Sequence, residues 1–122
     1  MDSHLFPFSI ETVYRDEIPR LALSGELDLA TAPRLATAIA SDERRKGSAP
    51  VLDLSRLAFM DVAGMRVLLD AARRAKRAGE RLTVFNPQPS VRRLLALTAV
   101  DRTLQIRFDG DDPPPDQRWG RA

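Results

Sequence analysis

The segment Phe59-Met60-Asp61-Val62-Ala63-Gly64-Met65 constrains this chain most, because the hydrophobic period changes across it. Before it, Val51-Leu52-Asp53-Leu54-Ser55 is a short apolar run of strand length. After it, Met65, Leu68, Leu69, Ala72 and Ala75 recur at spacings of three and four, which is one apolar face of a helix ending at Gly79. A buried strand that turns directly into a helix begins a strand–helix–strand crossover, so a largely parallel sheet follows. Asp61 is a good N-cap, since its carboxylate can accept a bond from the amide of Ala63 or Gly64. Gly64 permits close approach of another surface, either the protein's own or a partner's. The first turn of such a helix offers free amides and partial positive charge to a phosphate. The residues placed to carry one are Val62 and Ala63, and neither has a hydroxyl.

The same reading extends along the chain. Thr12 to Tyr14 and Arg20 to Ser24 form two strands around a turn at Asp16-Glu17-Ile18-Pro19, the second ending at Gly25. So short a connection makes them an antiparallel hairpin. Thr31 offers a cap and Pro33 fits the first turn of a helix with Leu35, Ala38 and Ile39 on its apolar side and Gly47 as its stop. From Val51 onward strands and helices alternate: strand to Leu54, helix Val62 to Ala78, strand Arg81 to Phe85, helix Pro89 to Leu97, strand Thr103 to Phe108. Val91, Leu94, Leu95 and Thr98 form the stripe of the last helix. The expectation is one domain over residues 1–108. Residues 109–122 are read as a flexible tail, because Asp109 to Asp116 combines charge with three prolines and Trp119 stands alone beyond them.

Composition narrows the chemistry. The chain has 122 residues, enough for one core, and no cysteine, so thiolate nucleophiles and thiolate zinc sites are excluded. Its one histidine, His4, lies near the N-terminus, away from every carboxylate of interest. There is no phosphate-cradling loop, no glycine-rich dinucleotide turn and no nucleophile elbow. Asp28, Asp53 and Asp61 sit at strand ends, where a carboxylate cluster can hold Mg²⁺, yet the surrounding catalytic apparatus is missing. Asp53 in a buried strand must be hydrogen-bonded, and Asp28 suits a turn bond ahead of the first helix as well as it suits binding. A binding module without cofactor or metal is the expectation. The N-terminus lacks a leader pattern and no apolar run reaches membrane-spanning length, which points to a cytoplasmic protein.

The net charge of +2 conceals a basic segment, for Arg66 to Arg93 holds eight basic residues against Asp70 and Glu80. Its one aromatic residue, Phe85, lies in a strand and is too little to stack on bases, so nucleic acid is not the expected partner. Arg66, Asp70, Arg73 and Arg77 read instead as the solvated face of the central helix, and an acidic protein partner stays open beside that reading.

Three segments in order carry a family resemblance. Leu23-Ser24-Gly25-Glu26-Leu27-Asp28, then Val51 to Ser55 with Phe59-Met60-Asp61, then Pro89-Ser90-Val91-Arg92-Arg93-Leu94-Leu95 resemble the STAS domain of bacterial anti-sigma factor antagonists. The likeness spans about Leu21 to Phe108. It implies an α/β fold, a mixed sheet with helices packed on it, in the order β-β-α-β-α-β-α-β. It also implies a partner surface built from Leu27, Asp28, Asp61, Val62, Ala63, Gly64 and Met65, with a serine-kinase-type anti-sigma factor as the partner and transcription as the regulated process.

In that family the turn presents a serine that the kinase phosphorylates. Here Ala63 occupies the acceptor-equivalent position and cannot be phosphorylated. Three consequences stay open: an antagonist that binds constitutively, a scaffold or decoy engaging a kinase or another STAS protein, or an acceptor moved to Ser24, Thr31, Ser55 or Ser90. The last is disfavoured, since none of these residues tops this helix. A different class, a STAS regulatory subunit acting in trans on an ABC-type lipid transporter or an anion transporter, is the runner-up.

Overall fold

The computed structural model describes residues 7–110. His4, Trp119 and the tail from 111 onward lie outside the described residues. The elements are β1 (Ser9–Arg15), β2 (Ile18–Leu27), α1 (Ala32–Lys46), β3 (Val51–Met60), α2 (Val62–Arg77), β4 (Thr83–Phe85), α3 (Pro89–Leu97) and β5 (Gln105–Arg107), with a 3-10 turn at Val100–Arg102. This is the expected order, β-β-α-β-α-β-α-β.

The sheet has the spatial order β1-β2-β3-β4-β5. β1 and β2 are antiparallel, and every later pair is parallel. Leu21 and Leu23 of β2, with Leu52 and Leu54 of β3, join Leu35 and Ile39 of α1 and Met65 and Leu68 of α2 in one core. Alternation sends the intervening residues to the other face of the sheet. There Ser9, Glu11, Val13 and Arg15 border, with Ala22 and Asp53, an open groove of about 410 Å³.

β1 begins at Ser9 rather than Thr12, β4 at Thr83 rather than Arg81, and β5 spans only Gln105–Arg107; three further differences from the sequence reading have a reason in pairing. The first turn is only Asp16-Glu17, both at positive φ (52° and 67°), and Ile18 and Pro19 already belong to β2. That is the backbone of a type I′ two-residue hairpin, whose twist matches the strands it joins. β2 does not stop at Gly25 but continues to Leu27, and β3 does not stop at Leu54 but runs on to Met60. The two extensions pair with each other, Ser24 with Arg56 and Leu27 with Met60, through two register irregularities. β4 is too short to reach this half of β3, because it pairs only with Val51 to Asp53. Ser55, Arg56, Ala58 and Phe59 are therefore exposed, and the apolar period that marks a buried strand is broken there. α3 closes part of the gap: Gln88, just ahead of it, donates its side-chain amide to Ser55 O at 2.8 Å, and Val91 and Leu95 are buried. Thr98 is exposed and caps the end of α3 instead of joining its stripe.

Candidate functional site

The extension of β2 and β3 to Leu27 and Met60 brings two strand-to-helix turns side by side. The Asp61 amide donates to Leu27 O at 3.1 Å and ties one turn to the other. Each turn is closed by its own carboxylate. Asp61 Oδ1 accepts from the amides of Ala63 at 2.8 Å and Gly64 at 3.2 Å, the cap expected from the sequence. Asp28 Oδ1 accepts from the amides of Ala30 at 3.0 Å and Thr31 at 3.1 Å. Thr31 was the expected cap of α1, yet its side chain makes no cap bond. Its hydroxyl accepts from the Asp28 amide at 2.9 Å and donates to Glu26 O at 3.0 Å, so it ties the turn to the end of β2. Asp28 instead closes a local turn, its carboxylate reaching the amides two and three positions on, and α1 itself has no side-chain cap bond.

The seven residues of the expected surface separate into two layers. Leu27, Gly64 and Met65 are buried. A Cβ on Gly64 would stand 2.5 Å from Leu27 Cγ and 3.0 Å from Met60 Cγ. Of the two readings of this glycine, close packing within the protein is the one observed: it gives room to Leu27, not to a visitor. Asp28, Asp61 and Ala63 are half-buried and Val62 is 56% exposed. Two further apolar residues flank the turns and were not anticipated: Leu29, 77% exposed, follows Asp28, and Phe59, 48% exposed, precedes Asp61 by two positions. Neither fits an amphipathic period, and the only signal in the sequence is an apolar residue adjoining a capped turn. The outer layer thus presents Leu29, Phe59 and Val62 around two carboxylates that are already bonded to backbone.

The open amides expected for a phosphate are correspondingly fewer. Asp61 occupies those of Ala63 and Gly64, and Met65 N bonds Asp61 O at 2.9 Å. No metal-binding group emerges either: among the described residues no three His, Cys, Asp or Glu side chains stand together as a cation site. Asp53, grouped with Asp28 and Asp61 as a possible Mg²⁺ cluster, is engaged elsewhere. Its Oδ1 accepts from Ser55 N at 2.9 Å and its Oδ2 from Arg20 Nη1 at 3.1 Å.

Arg20 organises the opposite face of the sheet. Besides Asp53 it donates from Nη1 and Nη2 to Asp109 at 2.8 and 2.9 Å, and its guanidinium lies 3.5 Å from the centre of the Phe85 ring. Asn86, at φ 58°, donates to Asp109 Oδ2 at 2.8 Å and accepts from the Asp109 amide at 3.0 Å. The two bonds from Arg20 hold the Asp109 carboxyl well below the usual carboxylate range, against the opposing effect of its partial burial, and Asp109 in turn raises Arg20. Asp109, assigned by composition to the tail, is therefore bound to the sheet. This cluster lay beyond sequence reasoning because its members are 33 and 89 positions apart.

On α2, Arg66, Asp70, Arg73 and Arg77 are exposed, as a solvated face requires, and Arg74 meets Glu43 of α1 at 3.2 Å. Among the described residues no helix is long and apolar enough to cross a membrane.

Sheet order and helix order define a mixed α/β fold over the described residues, and comparison with known proteins places it in a family. Residues 11–106 match the family described as Mlab, STAS domain, and the chain belongs to that family. An anti-sigma-B factor antagonist of Listeria monocytogenes is 26% identical over 100 residues, spanning 81% of this chain and 88% of the relative. The crystal structure of an anti-sigma factor antagonist from Mycobacterium paratuberculosis superimposes with a TM-score of 0.70 at 25% identity, over 93% of this chain and 92% of that one. The unphosphorylated form of the anti-sigma factor antagonist SpoIIAA shares the fold, with a TM-score of 0.64 at 23% identity over 93% of this chain and 96% of that one.

Proposed function

We propose that this protein is a non-catalytic, cytoplasmic antagonist that binds a serine-kinase-type anti-sigma factor and does so without a phosphorylation switch. The observation that carries the reading is the pair of joined turns, with Ala63 at the acceptor-equivalent position and exposed Leu29, Phe59 and Val62 beside it. Apolar side chains held on rigid capped turns suit burial against a protein partner, since little conformational entropy is lost on docking. Leu27, Gly64 and Met65 serve as the packed floor that sets the height of Asp28, Asp61, Val62 and Ala63.

A phosphate in this interface would add about −1.5 to −2 charge and repel a packed partner. Without a hydroxyl at residue 62 or 63 the complex is insensitive to ATP, and abundance sets how much anti-sigma factor is captured. Sigma factor is then released in proportion to the amount of this protein.

The test is calorimetry and phosphopeptide mapping with the kinase-type anti-sigma factor of the same cell. Wild type binds equally with and without preincubation in ATP and takes up no phosphate at the Asp61 turn. Val62→Glu and Leu29→Glu each weaken binding by roughly tenfold or more while leaving the fold unchanged. Ala63→Ser restores an acceptor, and Ala63→Asp weakens the complex by placing a second negative charge beside Asp61. Absence of binding to any such factor would overturn the reading. Phosphorylation of the wild type at Ser24, Thr31, Ser55 or Ser90, with loss of binding, would show that the switch has moved.

A further inference from the structure

We infer that the outer edge of β1 pairs, antiparallel and about a two-fold axis at Val13, with β1 of a second copy of this chain. The inference is independent of the anti-sigma reading, because β1 contributes no residue to the two turns.

β1 ends the sheet, and among the described residues no strand lies beyond it. The two-residue turn at Asp16-Glu17 makes Arg15 and Ile18 a hydrogen-bonded pair, and antiparallel pairs alternate. The backbone groups of Arg15, Val13 and Glu11 therefore point to β2, whereas those of Tyr14 and Thr12 point outward. An open edge of this kind is a template for another strand. Natural edges are protected by charges that repel a second copy, but the charges on this edge attract one.

The sequence from Glu11 to Arg15 is self-complementary about its centre. With Val13 opposite its own copy, Thr12 faces Tyr14 of the second chain and Glu11 faces Arg15, and the symmetry repeats both pairs. The backbone alternation permits this register: Thr12 and Tyr14, whose groups point outward, form the hydrogen-bonded pairs. Glu11 and Arg15 fall at the closer non-hydrogen-bonded positions. Each pair is a favourable cross-strand type: opposite charges, aromatic with β-branched, and valine with valine. Moving the axis to Thr12 or Tyr14 sets a charge against Ser9 or Val13, and moving it to Glu11 or Arg15 sets like charges together. The side chains are available, for Glu11, Thr12, Tyr14 and Arg15 are all exposed, Tyr14 at 68%. Among the described residues the ion pair of Arg15 is a long one, 3.7 Å to Asp109, which lets it turn to a partner.

Sedimentation velocity on the 122-residue chain, up to about 1 mM where weak association shows, tests this directly. Wild type forms a dimer. Thr12→Pro removes an outward amide, not one bonded to β2, so the folded variant is a monomer. Glu11→Arg alone and Arg15→Glu alone each set like charges together twice and weaken the dimer roughly tenfold or more. Mixed in equal amounts, these two variants pair with each other and recover the wild-type association. That rescue is specific to this register and does not depend on how Thr12→Pro folds. A wild type that stays monomeric throughout overturns the inference, as does a dimer unchanged by the charge variants.

Discussion

Carboxylates on the two faces of this molecule are satisfied in opposite ways. At the paired turns, Asp28 and Asp61 accept from amides two and three residues ahead of them. On the sheet face, Asp53 and Asp109 are held by Arg20 from 33 and 89 residues away. A local cap stabilises one helix end by about 1 kcal/mol and leaves its outer side free to meet another protein. A buried guanidinium joining two carboxylates couples three separated segments, so breaking it exposes uncompensated charge in all of them. One face thus keeps Leu29, Phe59 and Val62 at the surface beside locally bonded carboxylates, and the other ties distant segments of the sheet together.

The largest test of this contrast is Arg20→Met. It leaves Asp53 buried with only the Ser55 amide and Asp109 with Asn86, and a loss of about 3 kcal/mol or more is expected in urea unfolding. A loss below about 1 kcal/mol, the range of exposed ion pairs, would mean that the cluster behaves as surface charge.

Gly64→Ala comes next. Its Cβ meets Leu27 Cγ at 2.5 Å, in a side chain with no exposed surface, so overpacking costs about 1–3 kcal/mol, partly offset by the better helix propensity of alanine. Leu27→Ala in the same chain should make the glycine substitution nearly neutral. Persisting non-additive loss in thermal melts would place the strain elsewhere.

Asp109→Asn removes the charge that Arg20 holds, and it carries a pH signature. Because the folded carboxyl is depressed, the unfolded chain takes up its proton first as pH falls below about 4. The stabilisation is full at neutral pH and is lost on acidification, so wild type should lose its advantage over the variant between about pH 5 and pH 2. An advantage that is constant over this range would dissociate Asp109 from the cluster.

The smallest effect is expected for Asp61→Ala, about 1 kcal/mol from loss of the cap. It should leave the Arg20 face unperturbed in hydrogen exchange, since the two regions share no bonded residue.

How much of this was legible depends on sequence distance. The Asp61 cap, the glycine stop of α1 and the element order follow from signals within a few residues. The continuation of β3 to Met60 was hidden because its exposed positions have no alternating pattern, and only the partner strand β2 makes them a strand. Leu27, Gly64 and Met65 read as surface because the motif is contiguous. A helix start places alternate members above and below the sheet end, and which are below is decided by packing.

Sequence alone therefore determined the sheet-and-helix order, the absence of cysteine chemistry and the missing hydroxyl at residues 62 and 63, since period, composition and identity are properties of the chain itself. Only the tertiary structure decided that Gly64 makes room for Leu27, that Leu29 and Phe59 flank the turns, and that Arg20 gathers Asp53 and Asp109. Burial and long-range pairing are set by which segments meet, and hydrophobic pattern constrains that meeting without specifying the partner of any one polar group.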